Sequence, residues 1–142
     1  RAKSYSAEQL KALSVAALFH DMGKIKIPTA ILRKQVPLSE PESNYLKLHT
    51  KYGLDMANQI EGFPESAKTV IVQHHELRDG SGYPEGLKGD EIDELAQVII
   101  VANAFDNLCH TPLLLSKKSH IRHFPTYIRT ANTYIKKRTL IS

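Results

Sequence analysis

Four of the seven histidines in this 142-residue chain fall where metal chemistry could use them. His20 is followed at once by Asp21, His74 is followed by His75, and His49 lies between the two pairs. Imidazole suits borderline transition metals, and a carboxylate adds negative charge and can bridge two ions. Neighbours on a helix point about 100° apart, so an adjacent pair does not close on one ion as an i, i+4 pair does. At a helix end, each member can serve a different ion of a two-metal site, whose ions stand about 3.5–4 Å apart. Taken singly, each histidine reads as a surface or satisfied core residue. Taken together, their spacing leaves the metal and structural readings level.

Two further features lie beside these pairs. Lys24 follows Asp21 by three positions and, by itself, reads as a cation capping a helix C-terminus. Residues 74–92, HHELRDGSGYPEGLKGDEI, run from the second histidine pair straight into the most glycine-rich part of the chain. Gly80, Gly82, Gly86 and Gly89 suit a flexible loop, with close backbone approach to a ligand or positive φ. Tyr83 reads equally as a ligand contact and as an anchor for that loop.

Helices must position these groups. Ser6 and Gln9 form a capping box before the apolar set Leu10, Leu13, Ala17 and Leu18, which predicts a helix over 7–22 stopped by Gly23. An irregular link is expected over 23–37. Ser39 and Glu42 make a second capping box for a helix toward Leu48, and another helix covers about 50–61 with a break near Gly53. Pro64 suits a first helical position, and that helix is expected to reach Glu76. Asp90 is the expected cap of a long helix ending near Leu108, and a last helix is expected over 125–138. No alternating strand pattern appears, so the class is all-α.

Charge divides the chain. Residues 1–110 hold 12 Lys+Arg and 15 Asp+Glu, whereas 111–142 hold 7 Lys+Arg and no acid, giving −3 and +7 within the overall +4. The expected organisation is a core over 1–110 and a basic helical extension over 111–142. No RNA- or DNA-binding motif accompanies the tail, so nucleic acid is not an expected partner. The longest apolar run, around Val98, is far shorter than the roughly 20 residues of a membrane span. Cys109 is the single cysteine, which fits a reducing compartment. The chain opens on Arg1 without an initiator Met, which suggests a piece of something longer.

Four stretches together resemble the HD-GYP branch of the HD phosphohydrolase superfamily. They are ALFHDMGKIKIP at 17–28, HTKYG at 49–53, HHELRDGSGYPEGLKGDEI at 74–92 and VANAFDNL at 101–108. The resemblance implies an all-α, HD-domain helical bundle with a GYP loop. It also implies a metal-dependent phosphodiesterase that hydrolyses the bacterial second messenger cyclic di-GMP to pGpG and GMP by a metal-bound hydroxide. Two or three divalent ions, iron or manganese, are the implied cofactors. His20, Asp21, His49, His74 and His75 match metal ligands; Asp21 is the natural bridge between ions. Lys24 matches a cation near the scissile phosphate. Gly82, Tyr83 and Pro84 match the loop that shapes the substrate site. A cytoplasmic bacterial location, a fused or associated receiver or sensor domain and GGDEF-type diguanylate cyclase partners are implied too.

The chain departs from the family in three places. Asn103 stands where the family has a metal-binding Asp, and a neutral amide is the weaker ligand. The family usually carries another ligand, a His or Glu, on a helix upstream of the HD motif, whereas residues 1–19 hold no His and Glu8 lies three turns before His20. The 109–142 segment does not match the family's usual ending, although Lys117, Lys118, Arg122 or Arg129 could take over phosphate contacts. These departures define an alternative: a degenerate, non-catalytic module that binds cyclic di-GMP or a diguanylate cyclase.

Overall fold

The computed structural model describes residues 4–110. Six α-helices follow one another: α1 (Ala7–Phe19), α2 (Thr29–Leu32), α3 (Glu40–Lys47), α4 (His49–Ala57), α5 (Glu65–Gln73) and α6 (Glu94–His110). Short 3-10 turns occupy Met22–Lys26 and Gly89–Glu91. Among the described residues there is no strand, only one isolated bridge between Asp79 and Lys88, so the all-α class holds. The expected basic extension and last helix lie outside the described residues.

Both expected capping boxes form. Ser6 Oγ accepts from Gln9 N and Ser39 Oγ from Glu42 N, with each reciprocal side chain returning to the cap's amide. Other helix ends differ from expectation. α1 stops at Phe19, and a 3-10 turn and the short α2 break up the expected irregular link. α5 stops at Gln73 rather than Glu76, with Pro64 as its N-cap. α4 passes unbroken through Gly53 and ends at Ala57. The cap of α6 is Asp93, not Asp90: Asp93 Oδ1 accepts from the Leu95 and Ala96 amides at 2.8 and 3.4 Å. Asp90 instead meets Arg78 Nη2 at 3.2 Å. Two carboxylates compete for one helix start, and the one nearest its first free amides caps it.

Small residues draw the helices together. Ala12 and Ala16 of α1, Ala67, Val70 and Ile71 of α5, and Leu95, Ala96, Ile99 and Ile100 of α6 form one core with Ala57, Phe63 and Ile92. α1 packs on α5 and α6, and α5 also packs on α4. Fully burying a Val or Ile side chain contributes about 1.5–3 kcal/mol. The core therefore fixes the C-terminal end of α5 relative to α1 and α4, the three places where the histidines sit.

Gly23 acts through space, not as a left-handed helix stop. It lies in the 3-10 turn with no positive φ. A Cβ there would run into the His49 carbonyl oxygen and stand 2.5 Å from Gly53 N. Only glycine lets the turn after α1 lie against the start of α4, and that contact carries Asp21 to His49.

Candidate metal centre

Each of three histidines sits at a helix junction. His20 is the C-cap of α1, His49 opens α4 directly after α3, and His74 is the C-cap of α5. All three use the same local device. His20 Nδ1 lies 3.0 Å from Ala17 O, His49 Nδ1 2.8 Å from Leu46 O, and His74 Nδ1 2.8 Å from Ile71 O. Those carbonyls belong to the last turns of α1, α3 and α5, where intrahelical donors run out. A carbonyl can only accept, so each Nδ1 carries a hydrogen, and in the neutral ring each Nε2 presents a lone pair.

The three Nε2 atoms converge on Asp21. Asp21 Oδ1 lies 3.4 Å from His49 Nε2 and 3.6 Å from His74 Nε2. Oδ2 lies 3.4 Å from His20 Nε2 and 2.6 Å from Lys24 Nζ. His49 Nε2 and His74 Nε2 stand 3.3 Å apart. With both Nδ1 atoms protonated, that short distance joins two lone pairs and is not a hydrogen bond. Ligand atoms of Asp21, His49, His74 and His75 all lie within 4.8 Å of one another.

This set fits a cation. Among the described residues, Asp21 Oδ1 and His75 Nε2 are buried without a hydrogen-bond partner. Leaving such an atom unsatisfied costs about 1–3 kcal/mol, and native proteins rarely leave one without a reason. Three nitrogens and a carboxylate oxygen facing one another repel unless positive charge lies among them. The donor set is the mixture that binds divalent transition metals.

Protonation agrees with this reading. Burial pushes the His49 imidazole down to about 4, and burial pushes His75 well below the ordinary histidine value. Both are neutral ligands near pH 7. Burial works to raise the Asp21 carboxyl, but His20 and His74, which turn a proton toward it whenever Nε2 is protonated, and the Lys24 ammonium outweigh burial and hold the group well below the usual carboxylate range. The hydrogen bond with Asp21 raises His20, so a proton can sit between the two where a cation would also be held. Metal binding requires deprotonated donors, and burial supplies them at His49 and His75.

Gly80, Gly86 and Gly89 take the positive φ expected of the glycine loop, and the loop packs on the turn that bears the histidine pair. Tyr83 N donates to His75 O at 3.2 Å, and the Tyr83 ring stacks on the His75 ring at 4.7 Å and 18°. A Cβ at Gly82 would overlap the Leu77 amide and lie 2.5 Å from Glu76 Cα, so the loop lies flat on the turn after α5. Pro84 follows Tyr83 through a cis peptide bond. Glu76, fully buried, accepts from the amides of Glu85, Gly86 and Leu87 at 2.7, 3.2 and 3.0 Å. Sequence reasoning gave Glu76 no role; the one signal was an acid directly after the histidine pair.

The structure therefore brings together His20, Asp21, Lys24, His49, His74 and His75, with Tyr83 at their edge. Asn103 lies on α6, where its Oδ1 and backbone carbonyl both accept from Asn107 Nδ2, at 3.0 and 2.8 Å.

The geometry defines a helical domain with a histidine–aspartate cluster suited to a divalent metal, and comparison with known proteins places it. The HD-domain family pattern matches residues 1–136, and the chain belongs to that family. It is 39% identical over 104 residues to the cyclic di-GMP phosphodiesterase response regulator RpfG of Xanthomonas campestris pv. campestris, covering 72% of this chain and 28% of the relative. It is 37% identical over 94 residues to 3'3'-cGAMP-specific phosphodiesterase 2 of Vibrio cholerae, covering 66% of this chain and 18% of the relative. A cyclic di-GMP phosphodiesterase of Thermotoga maritima is 38% identical over 95 residues, covering 66% of this chain and 26% of the relative. The matched stretch thus spans less than a third of each of these relatives. No helix among the described residues is long and apolar enough to cross a membrane.

Proposed function

We propose that this domain is a metal-dependent phosphodiesterase acting on a cyclic dinucleotide, cyclic di-GMP first among them. The observation that carries the reading is the convergence of three carbonyl-fixed Nε2 lone pairs on Asp21, beside two buried atoms with no partner. His49, His74, His75 and Asp21 would hold one ion, the turn after α5 bringing the adjacent histidines to one centre where helical spacing pointed to two, and Asp21 Oδ2 with His20 would face a second. Iron or manganese is the proposed metal, two ions or three in number. When bound, such ions polarise a water and neutralise charge on phosphate oxygens.

The chain's own groups do the rest. Asp21 presents one oxygen to each side of the cluster, which fits a bridging carboxylate. The Lys24 ammonium, half-exposed beside Oδ2, is placed to steady the charge of the phosphate being cleaved. Burial keeps His49 and His75 unprotonated, so each keeps a ring lone pair for the metal rather than for a proton. Water adds across one P–O bond of the ring, giving linear pGpG and then GMP. Gly82, Tyr83 and Pro84 would form one wall of the substrate site. A cytoplasmic setting, a receiver or sensor domain and a GGDEF partner belong to the same proposal; the response regulator among the relatives supports the receiver domain alone.

The test is direct. Protein loaded anaerobically with Fe²⁺, or with Mn²⁺, is incubated with cyclic di-GMP and with 3'3'-cGAMP, and products are resolved by chromatography. Appearance of pGpG is expected; intact dinucleotide in the presence of stoichiometric metal would overturn the enzyme reading. Asn103 motivates the second reading, a non-catalytic dinucleotide-binding module, because Asn107 already engages its amide oxygen. Metal-loaded protein that binds cyclic di-GMP without cleaving it, and gains turnover as Asn103→Asp, would establish that second reading.

A further inference from the structure

His75 is the odd member of the histidine set. Backbone carbonyls fix the rings of His20, His49 and His74 through Nδ1. Among the described residues no hydrogen bond holds the His75 ring as the carbonyls hold the others, and its Nε2 is buried and unpartnered. What the ring does have is a broad face, and Tyr83 covers it in parallel at 4.7 Å. His74 and His49 bound it on other sides, at 4.1 and 5.0 Å between centroids.

Tyr83 is itself held by an unusual anchor. The Glu76 carboxylate gathers three consecutive loop amides, at residues 85 to 87, directly after the Tyr83–Pro84 pair. Glu76 also directly follows His75 in the chain. One residue thus joins the turn that bears the ligand pair to the loop that bears the ring. A fully buried carboxylate is costly unless well hydrogen-bonded, so this anchor is a demanding one to keep. Its three amide bonds are of the charge-assisted, stronger kind.

We propose that Tyr83 orients the His75 imidazole, and that Glu76 is the positioning residue that keeps Tyr83 in place. Stacking here does what the carbonyl hydrogen bonds do for the other three histidines. The role rests on the metal reading proposed above. It assigns Glu76 and Tyr83 to ligand orientation and leaves any contact with substrate aside. Partners that orient a metal-bound histidine typically matter 10–100-fold for affinity.

The experiment reads ring orientation and metal affinity separately. In metal-free protein, histidine side-chain NMR should show the His75 ring protons shifted upfield by the Tyr83 ring. Tyr83→Leu and Glu76→Gln should abolish that shift; Tyr83→Phe should keep it. Glu76→Gln should also speed hydrogen exchange at the amides of residues 85 to 87. Mn²⁺ affinity, measured by titration, should fall about tenfold or more in Tyr83→Leu and Glu76→Gln and hold in Tyr83→Phe. Unchanged His75 shifts in folded Tyr83→Leu would overturn the proposal, as would unchanged Mn²⁺ affinity once the shift is lost. If Glu76→Gln fails to fold, Tyr83→Leu decides alone. If the parent binds no Mn²⁺, the metal reading fails by itself, and the ring shifts still decide whether Tyr83 orients His75.

Discussion

Asp21 and Asn103 are two polar side chains with opposite histories of satisfaction. Asp21 is drawn in among three imidazoles and keeps a buried oxygen without a hydrogen-bond partner. Asn103 sits on α6 with its oxygen accepting from Asn107 one turn on. The first environment is poised for something not supplied by the protein's own donors. The second is at rest. Unsatisfied groups mark where a ligand belongs, since a fold tolerates such a cost only for function.

The sharpest way to break this contrast is to remove the charge at Asp21. Asp21→Asn keeps the shape and loses the anion between the imidazoles. Phosphodiesterase activity should fall on the order of 10³-fold or more, about 4 kcal/mol of lost stabilisation. Bound metal, measured by elemental analysis, should fall with it while helical circular dichroism stays unchanged. Full metal content in this variant would mean that Asp21 is not at the centre of the cluster.

Next in size is the packing that delivers Asp21. Gly23→Ala places a methyl against the His49 carbonyl, which is backbone and cannot swing aside. Overpacking commonly costs 1–3 kcal/mol, and a backbone collision lies at the upper end, about 3 kcal/mol. Urea unfolding should show a lower midpoint with unchanged slope. Gly62→Ala is a useful comparison, because its added Cβ meets nothing within 4 Å although its φ is +73°. It should cost less, through backbone strain alone.

These two cases show what was legible in the sequence. The residue types of the cluster, the all-α class and both capping boxes could be read because each rests on local pattern or on a motif. Gly23 was read as a helix stop because glycine there follows an apolar run. Its real constraint comes from α4, which no local pattern reports. Asp90 and Asp93 are equally good caps in sequence, and the choice depends on where α6 is held by Gln73, whose side chain accepts from Asp93 N at 2.8 Å. Glu76 escaped notice for the same reason: its amide partners lie nine to eleven residues away in a folded loop. Long-range constraints on backbone were the unreadable part.

The contrast can also be sharpened from the other side. Asn103→Asp restores the carboxylate that the family resemblance expects. Mn²⁺ affinity should rise by up to about tenfold, since an anionic oxygen ligates better than an amide oxygen. Asn107 Nδ2 would remain available to donate to the new carboxylate. Titration of parent and variant under the same buffer checks this. Equal affinities would place position 103 outside the metal cluster, and the departure from the family pattern would then carry no consequence for metal binding.

The smallest effect separates two carboxylates that are both held below their ordinary range. Glu42 is pushed down to about 2 by its hydrogen bond with Lys34, then by those with Ser39. Lys34 Nζ lies 2.6 Å from both Glu42 oxygens, but both side chains are only partly buried, so solvent screens the pair. A depressed folded-state value means that the unfolded chain binds protons first as pH falls. Stability from this pair is therefore complete above about 4.5, the ordinary value, and is lost as pH drops toward about 2. Glu42→Gln should flatten a small part of the acid limb in thermal denaturation and leave stability near pH 7 almost unchanged, because exposed pairs contribute little. Metal content should not respond to this variant at all. A coupled loss of metal in Glu42→Gln would show that α3, which ends at Lys47 just before His49, transmits strain into the cluster.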